Sequence, residues 1–233
     1  MALVILAGVA GAPQRSHAQI APPTITGPLA DTPTSRPFLA AAYQREPLAL
    51  SEHGYIEAEY LIHGEARVFE WTQNGAVAEL GRGPYTTRIL VRRPREDANF
   101  NGTAIVEALN PSSPVDLPIM WAQSHRQLIN DGYAWIGVTI KPNTIVSLKR
   151  FDPERYAALS MARPESGPAC GAQSINAWSA PTTPADETGL AWDMLSQLGA
   201  LLEKRSNGNP LSRPADRLYM TGQSQTAGYA RTY

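Results

Sequence analysis

The sequence has a single cysteine, Cys170, in 233 residues, and this scarcity excludes a framework of internal disulfides. No spacing of cysteine and histidine resembles a metal site, so we expect no metal and no cofactor. A lone thiol of this kind is more typical of a small packed side chain than of a nucleophile.

The sequence also lacks an excess of charge of either sign, because it has 20 Lys and Arg residues and 21 Asp and Glu residues and no long run of either sign. This balance argues against an electrostatic grip on nucleic acid or on an anionic membrane. No segment is apolar over the roughly 20 residues that a membrane-spanning helix needs. We therefore expect a small-molecule partner, with no nucleic acid and no membrane anchor.

The first 18 residues are typical of a secretory signal peptide. They contain a short apolar run over 2–11, and small residues at Ser16 and Ala18 fit a cleavage site that leaves Gln19 as the mature start. The basic beginning of such peptides is missing, so a wrongly assigned start codon or a frayed apolar tail is the alternative. The signal-peptide interpretation predicts a periplasmic or secreted protein.

The next residues divide into a proline-rich lead-in over 19–50, which we expect to be extended, and a domain over 51–233. Period-2 alternation over 55–71 and 85–94 predicts antiparallel hairpins with one solvated face. We expect these strands to be broken at three glycines: Gly64, Gly75 and Gly83.

After residue 102 the pattern changes, because 103–110 and 133–140 are apolar on both faces, as in strands of a parallel sheet covered by helices. The residues between them predict a helix over 117–132, with Asp116 capping its amino end and Gly132 supplying a left-handed carboxyl cap. The same reasoning predicts four further segments: a short helix at 151–159, a surface excursion at 163–186, a helix at 189–204 and a buried strand at 217–221.

The last segment, "RLYMTGQSQTAGYARTY" (217–233), contains Gly222-Gln223-Ser224-Gln225-Thr226. A nucleophilic serine on a tight turn between a strand and a helix needs small residues two positions before and after it, as in the G-x-S-x-G nucleophile elbow. Gly222 meets this demand, whereas Thr226 is larger and predicts some crowding. We predict that Ser224 is a nucleophile; an ordinary turn serine is the alternative.

In such an elbow the oxyanion of the tetrahedral intermediate is stabilised by backbone N–H groups. The N–H of Gln225 is the first predicted donor. The second comes from the loop after the third strand, "NPSSP" (110–114), whose prolines have no N–H to give. Three candidates remain, of which we choose Ser112, with a plain Pro-Ser turn as the alternative: Asn110, Ser112 and Ser113.

Several blocks of the chain together resemble a group of bacterial alpha/beta-hydrolase-domain proteins: "GTAIVEALNPSSPVDLPIMWAQSHRQLINDGYAWIGVTI", "FDPERYAAL", "WDMLSQ" and "GQSQTAGYARTY". The resemblance runs from about residue 55 to the end and includes Gly222, Ser224, Gln225 and the segment 231–233. Two features depart from it, namely Thr226 in place of a smaller residue and "NPSSP" in place of a glycine-containing oxyanion loop. The resemblance implies an alpha/beta-hydrolase fold and an esterase-like serine hydrolase of unassigned substrate.

The catalytic acid and histidine of that fold follow the serine along the chain, but no Asp, Glu or His follows Ser224. All four histidines precede it, and each is expected to be a surface or packing residue: His17, His53, His63 and His125. A serine without a base is a weak nucleophile. We therefore hypothesise that 51–233 is the amino-terminal part of a longer ester hydrolase, an incomplete α/β fold ending just after the elbow. The alternative is a non-catalytic fragment or binding protein that retains the elbow as a structural turn.

Overall fold

The computed structural model describes residues 20–113, 115–163, 189–206, 208–211 and 213–233. The strands in these ranges are β1 (Thr24–Thr26), β2 (Tyr55–Trp71), β3 (Val77–Pro94), β4 (Thr103–Ala108), β5 (Asn110–Ser113), β6 (Val115–Leu117), β7 (Ala134–Val138), β8 (Ser160–Met161) and β9 (Arg217–Thr221). The α-helices are α1 (Ile119–Asn130), α2 (Pro142–Phe151), α3 (Ala191–Leu202) and α4 (Gln225–Thr232).

One mixed sheet organises the fold. Its strands follow the order β1-β2-β3-β7-β4-β9, with β8 paired to β3 and with β5 and β6 forming a separate small ribbon. Pairing is antiparallel from β1 as far as β7, whereas β7, β4 and β9 run parallel to one another. This confirms the predicted α/β class, in which antiparallel hairpins are followed by strand-helix-strand units of a parallel sheet.

The hairpin of β2 and β3 is longer than expected, with Tyr55 opposite Pro94 at one end and Trp71 opposite Val77 at the other. The prediction of a break at Gly75 is confirmed, since this residue lies in the turn with a positive φ of 77°. The predictions of breaks at Gly64 and Gly83 are wrong, because both glycines lie inside continuous strands. At Gly64 a Cβ atom would lie 2.9 Å from the ring of Tyr85, so the glycine serves close packing rather than a turn.

The core lies on both faces of the sheet, as double-sided apolar strands require. The larger cluster joins the strands to α3, which confirms the helix predicted over 189–204 and buries its leucines. A smaller cluster forms around Trp121 of α1 and Trp135 of β7, whose ring centroids are 5.2 Å apart. Arg92 lies over both indole rings, at 4.5 and 4.7 Å from their centroids.

The helix predicted over 117–132 is confirmed as α1, and Gly132 after it has the expected left-handed backbone, with φ 72°. The predicted cap by Asp116 is wrong. The carboxylate of Glu107, from β4, accepts the backbone N–H groups of Met120 and Trp121 at 2.8 and 2.9 Å. Burial raises the pKa of Glu107, although these N–H bonds oppose the shift. A carboxylate from another element therefore stabilises the positive end of this helix.

Asp116 serves a buried ion network instead. Its carboxylate accepts bonds from the Arg88 guanidinium, at 3.1 Å from Nη2, and from the Thr139 hydroxyl. Arg88 also donates to Glu59 at 2.7 Å, and neither of these two side chains is exposed to solvent. Because Asp116 pairs with a guanidinium that lies in the core, its carboxylate does not cap the helix.

The short helix predicted at 151–159 is also wrong, because helix α2 ends where that helix was expected to begin. Pro142 begins α2 in the first turn, where its missing N–H costs nothing. Asp152 then has an extended backbone, as the residue before Pro153 prefers, and the chain continues in turns. The predicted signal peptide, Cys170 and the excursion at 163–186 beyond its first residue lie outside the described residues.

Candidate active site

Ser224 lies between β9 and α4, on the turn where the elbow was predicted. Its backbone has φ 54° and ψ −114°, and its side chain is exposed to solvent. A positive φ is uncommon for a residue with a Cβ atom, and such strain is concentrated at functional sites. In the described part of the chain, Leu39 alone shares this feature among non-glycine residues.

The turn is as tight as the elbow motif demands. A Cβ atom at Gly222 would lie 2.5 Å from the backbone carbon and oxygen of Thr226, so glycine is required there. Thr226 is fully buried, and its hydroxyl accepts the N–H of Gln223 at 3.0 Å and donates to the Gln223 carbonyl at 3.1 Å. The larger side chain at this position therefore closes the turn through local hydrogen bonds.

Asn110 connects the loop after β4 to this turn. Its buried side chain donates from Nδ2 to the carbonyl oxygen of Gln223 at 2.6 Å and to Oε1 of the same residue at 3.1 Å. Its Oδ1 atom accepts the N–H of Ser112 at 2.9 Å. The structure thus brings together the two segments that the sequence assigns to oxyanion stabilisation.

The two predicted oxyanion donors differ in their surroundings. Gln225 is the first residue of α4, where backbone N–H groups have no acceptor within the helix and favour negative charge. The N–H of Ser112 is engaged by Asn110, so it would have to leave or share that bond in order to meet an oxyanion. Both roles stay predictions.

Two of the three histidines in the described ranges make their hydrogen bonds away from Ser224. The ring nitrogens of His63 lie 3.0 and 3.1 Å from two threonine hydroxyls, and His125 contacts carbonyl groups of its own helix. His53 is exposed in a short 3-10 helix. None of the three is hydrogen-bonded to Ser224, so no histidine of the described ranges is placed as its general base.

Sequence reasoning missed an aromatic and cationic group at the same edge of the sheet. Lys141 follows β7, and its Nζ atom lies 4.9 Å from the centre of the Tyr229 ring on α4. Tyr229 stacks on Trp192, with ring centroids 4.7 Å apart and planes 11° from parallel. Burial lowers the pKa of Lys141. The position of Lys141 after a parallel strand could have indicated this group, since the carboxyl ends of parallel strands meet at one edge of the sheet.

The described ranges contain neither a metal-binding cluster nor a membrane-spanning helix. No group of three or more His, Cys, Asp and Glu side chains has a geometry that would hold a metal ion. No helix in these ranges is both long enough and apolar enough to cross a bilayer.

Comparison with known proteins adds an independent observation. A family model described as an alpha/beta hydrolase domain matches residues 25–233, from the first strand through Ser224 and α4. A comparison with curated proteins found no match. The family match confirms the resemblance inferred from the sequence blocks, and it agrees with the mixed sheet and the strand-turn-helix that carries Ser224. The chain belongs to the alpha/beta-hydrolase-domain family.

Proposed function

We propose that this protein is a serine hydrolase that cleaves a carboxylic ester, with Ser224 as the nucleophile. Family membership supports hydrolase activity in general. The observation that carries the assignment to Ser224 is its strained, solvent-exposed position between β9 and α4. A chain accepts a non-glycine residue at positive φ only where its surroundings over-determine that conformation, and the elbow provides these surroundings.

In this mechanism the Oγ atom of Ser224 attacks the carbonyl carbon of the ester. The new carbon-oxygen bond gives a tetrahedral intermediate, whose negative oxygen accepts the N–H of Gln225 at the amino end of α4. Collapse breaks the bond to the alcohol, which leaves with the proton taken from the serine hydroxyl. Water then hydrolyses the acyl-serine, releasing the acid and restoring Ser224.

The proton transfers require a base, and the described histidines do not supply one at Ser224. In this fold the acid and the histidine follow the serine in chain order. We therefore infer that catalysis requires a histidine and an acidic partner to complete the site at Ser224. The ester substrate and the periplasmic or secreted location remain proposals based on the sequence.

The second candidate is a non-catalytic binding protein, in which the elbow is only a structural turn. One observation favours it, since the Ser224 hydroxyl has no hydrogen-bond partner within the described ranges. An unactivated serine hydroxyl is a poor nucleophile at neutral pH. This candidate predicts that the protein from its natural source binds small molecules without turning them over.

Kinetics of the natural full-length protein separate the two candidates. A series of p-nitrophenyl esters with increasing acyl length tests hydrolysis and measures which acyl size the site accepts. Ser224→Ala is expected to abolish turnover, while Ser51→Ala, at an exposed serine of a short helix remote in sequence from the elbow, is the matched control and should retain it. Equal, measurable rates in the two variants would eliminate Ser224 as the nucleophile, and absence of turnover in the wild type would favour the binding protein.

A further inference from the structure

Asn110 joins two segments that lie 113 positions apart in the chain. It is the first residue of β5, only 3% of its surface is exposed, and its side chain uses both ends of the amide. The Nδ2 atom donates twice to Gln223, and Oδ1 accepts the N–H of Ser112. A buried side chain that is fully satisfied in this way rigidifies the groups that it links.

The bond to the Gln223 carbonyl acts on the conformation of Ser224. This carbonyl belongs to the peptide plane that ends at the Ser224 nitrogen, so its orientation determines φ of Ser224. The strained backbone at Ser224 persists only if that plane is held. The short bond from Asn110, at 2.6 Å, holds it from outside the turn, while Thr226 holds it from inside.

The bond to the Ser112 N–H acts on the other side of the site. It closes a local turn two residues long at the start of the "NPSSP" loop, of the kind that asparagine makes with its own backbone. The same side chain therefore sets the loop and the elbow relative to each other. An error of about 1 Å in such a placement costs on the order of 100-fold in rate.

We propose that Asn110 is the positioning residue that holds the nucleophile elbow and the oxyanion loop in register. This inference rests on the proposed function of Ser224. Asn110 acts through Gln223 and Ser112 and need not touch the substrate. Its loss is therefore expected to lower kcat by about 10- to 100-fold and to leave KM within about twofold.

The test replaces Asn110 by aspartate, which keeps the acceptor for Ser112 but sets a carboxylate oxygen against the Gln223 carbonyl. The chain offers a matched control in Asn209. Its Nδ2 atom donates to two carbonyl oxygens at 2.9 Å each, and its Oδ1 atom accepts the N–H two residues later at 2.9 Å. Asn209→Asp therefore removes the same set of bonds at a position outside the elbow and its loop.

Both variants are made in the natural full-length protein, and three quantities are measured: kcat and KM for the best ester, the thermal midpoint, and the rate of covalent reaction of Ser224 with a fluorophosphonate at saturating probe. We expect Asn110→Asp to lower kcat and the labelling rate together, whereas Asn209→Asp, at a partly buried residue, lowers the thermal midpoint and changes neither rate. If Asn110→Asp does not fold, Asn110→Ala, which introduces no buried charge, takes its place.

Two outcomes overturn the inference and are distinguishable. If wild-type Ser224 reacts and the Asn110 variant reacts at the same rate, or if both variants lose activity equally, Asn110 has only a structural role and the proposed function stands. If wild-type Ser224 does not react at all, the proposed function fails and the positioning role fails with it.

Discussion

Replacing Ser224 by glycine is expected to stabilise the protein, although it removes the candidate nucleophile. A residue with a Cβ atom in the conformation of Ser224 costs about 1–3 kcal/mol, and glycine avoids most of this cost. Glycine also makes the unfolded chain more flexible, which costs about 0.4–1 kcal/mol. The net gain over alanine at the same position is therefore about 1 kcal/mol.

Alanine is the proper reference, because Ser224→Ala removes the hydroxyl but keeps the Cβ atom and its strain. Within the described ranges the hydroxyl makes no hydrogen bond, so this variant should lie within about 0.5 kcal/mol of the wild type. The same pair of changes at Ser51, which has an ordinary negative φ, is the control. There glycine should be less stable than alanine, by about 0.5–1 kcal/mol.

Urea unfolding at neutral pH measures these differences as shifts of the midpoint at constant slope. At position 224 we expect the glycine variant to have a higher urea midpoint than the alanine variant. At position 51 we expect the reverse. If glycine is the less stable variant at both positions, the backbone at Ser224 is not strained. The strained turn would then no longer support the assignment of Ser224 as the nucleophile.

Three further predictions concern positions around the site and in the core. Gly222→Ala is expected to abolish hydrolysis and to cost about 1–3 kcal/mol of stability, because its Cβ atom would meet backbone atoms of the turn at 2.5 Å. Gly228→Ala is the control, since its Cβ atom would have no neighbour within 4 Å. It should raise stability by about 0.5–1 kcal/mol in the same urea assay. Arg88→Met leaves the buried carboxylate of Asp116 without its cation and leaves Glu59 with Arg155 alone, and it should cost about 3–5 kcal/mol. Arg82→Met, at a side chain 56% exposed, should change urea stability by less than about 1 kcal/mol. Burial raises the pKa of Asp193, but hydrogen bonds from Arg67 outweigh burial and hold that pKa below the ordinary value. The stability that Asp193 contributes is therefore complete above about pH 4 and is lost as the pH falls further. When unfolding is measured from about pH 7 to about pH 3, Asp193→Asn should lose less stability in acid than the wild type.

The elements that could be predicted are those whose cause is local in sequence. The elbow was predictable because a tight turn around Ser224 requires Gly222 and a preceding strand, and both are adjacent to it. The prediction that this strand is buried is wrong, because β9 ends the strand order of the described sheet, none of its residues is buried, and Tyr219 is exposed. The parallel strands were predictable because burial on two faces leaves a continuous apolar run. Helix α2 was missed, since its buried residues include Asn143 and Thr144 beside two aliphatic side chains, and its start depends on Pro142 rather than on a capping side chain.

What could not be predicted depends on contacts between distant segments. Asp116 stands beside the start of α1 and is a good cap by spacing, yet the carboxylate that binds the helix end is that of Glu107 on another strand. Similarly, nothing near Asn110 in the sequence indicates that its amide reaches Gln223. Sequence spacing indicates where a helix or strand can begin and end. Which distant side chains bind to it depends on how the elements pack against one another.

The most direct test of the account is covalent labelling of the protein purified from its natural source with a fluorophosphonate, followed by mass spectrometry of its peptides. The account predicts one adduct, on Ser224, which is absent from the Ser224→Ala variant and is blocked by prior incubation with an ester substrate. An unlabelled Ser224, or a label on another serine, would contradict the claim that this elbow carries the nucleophile.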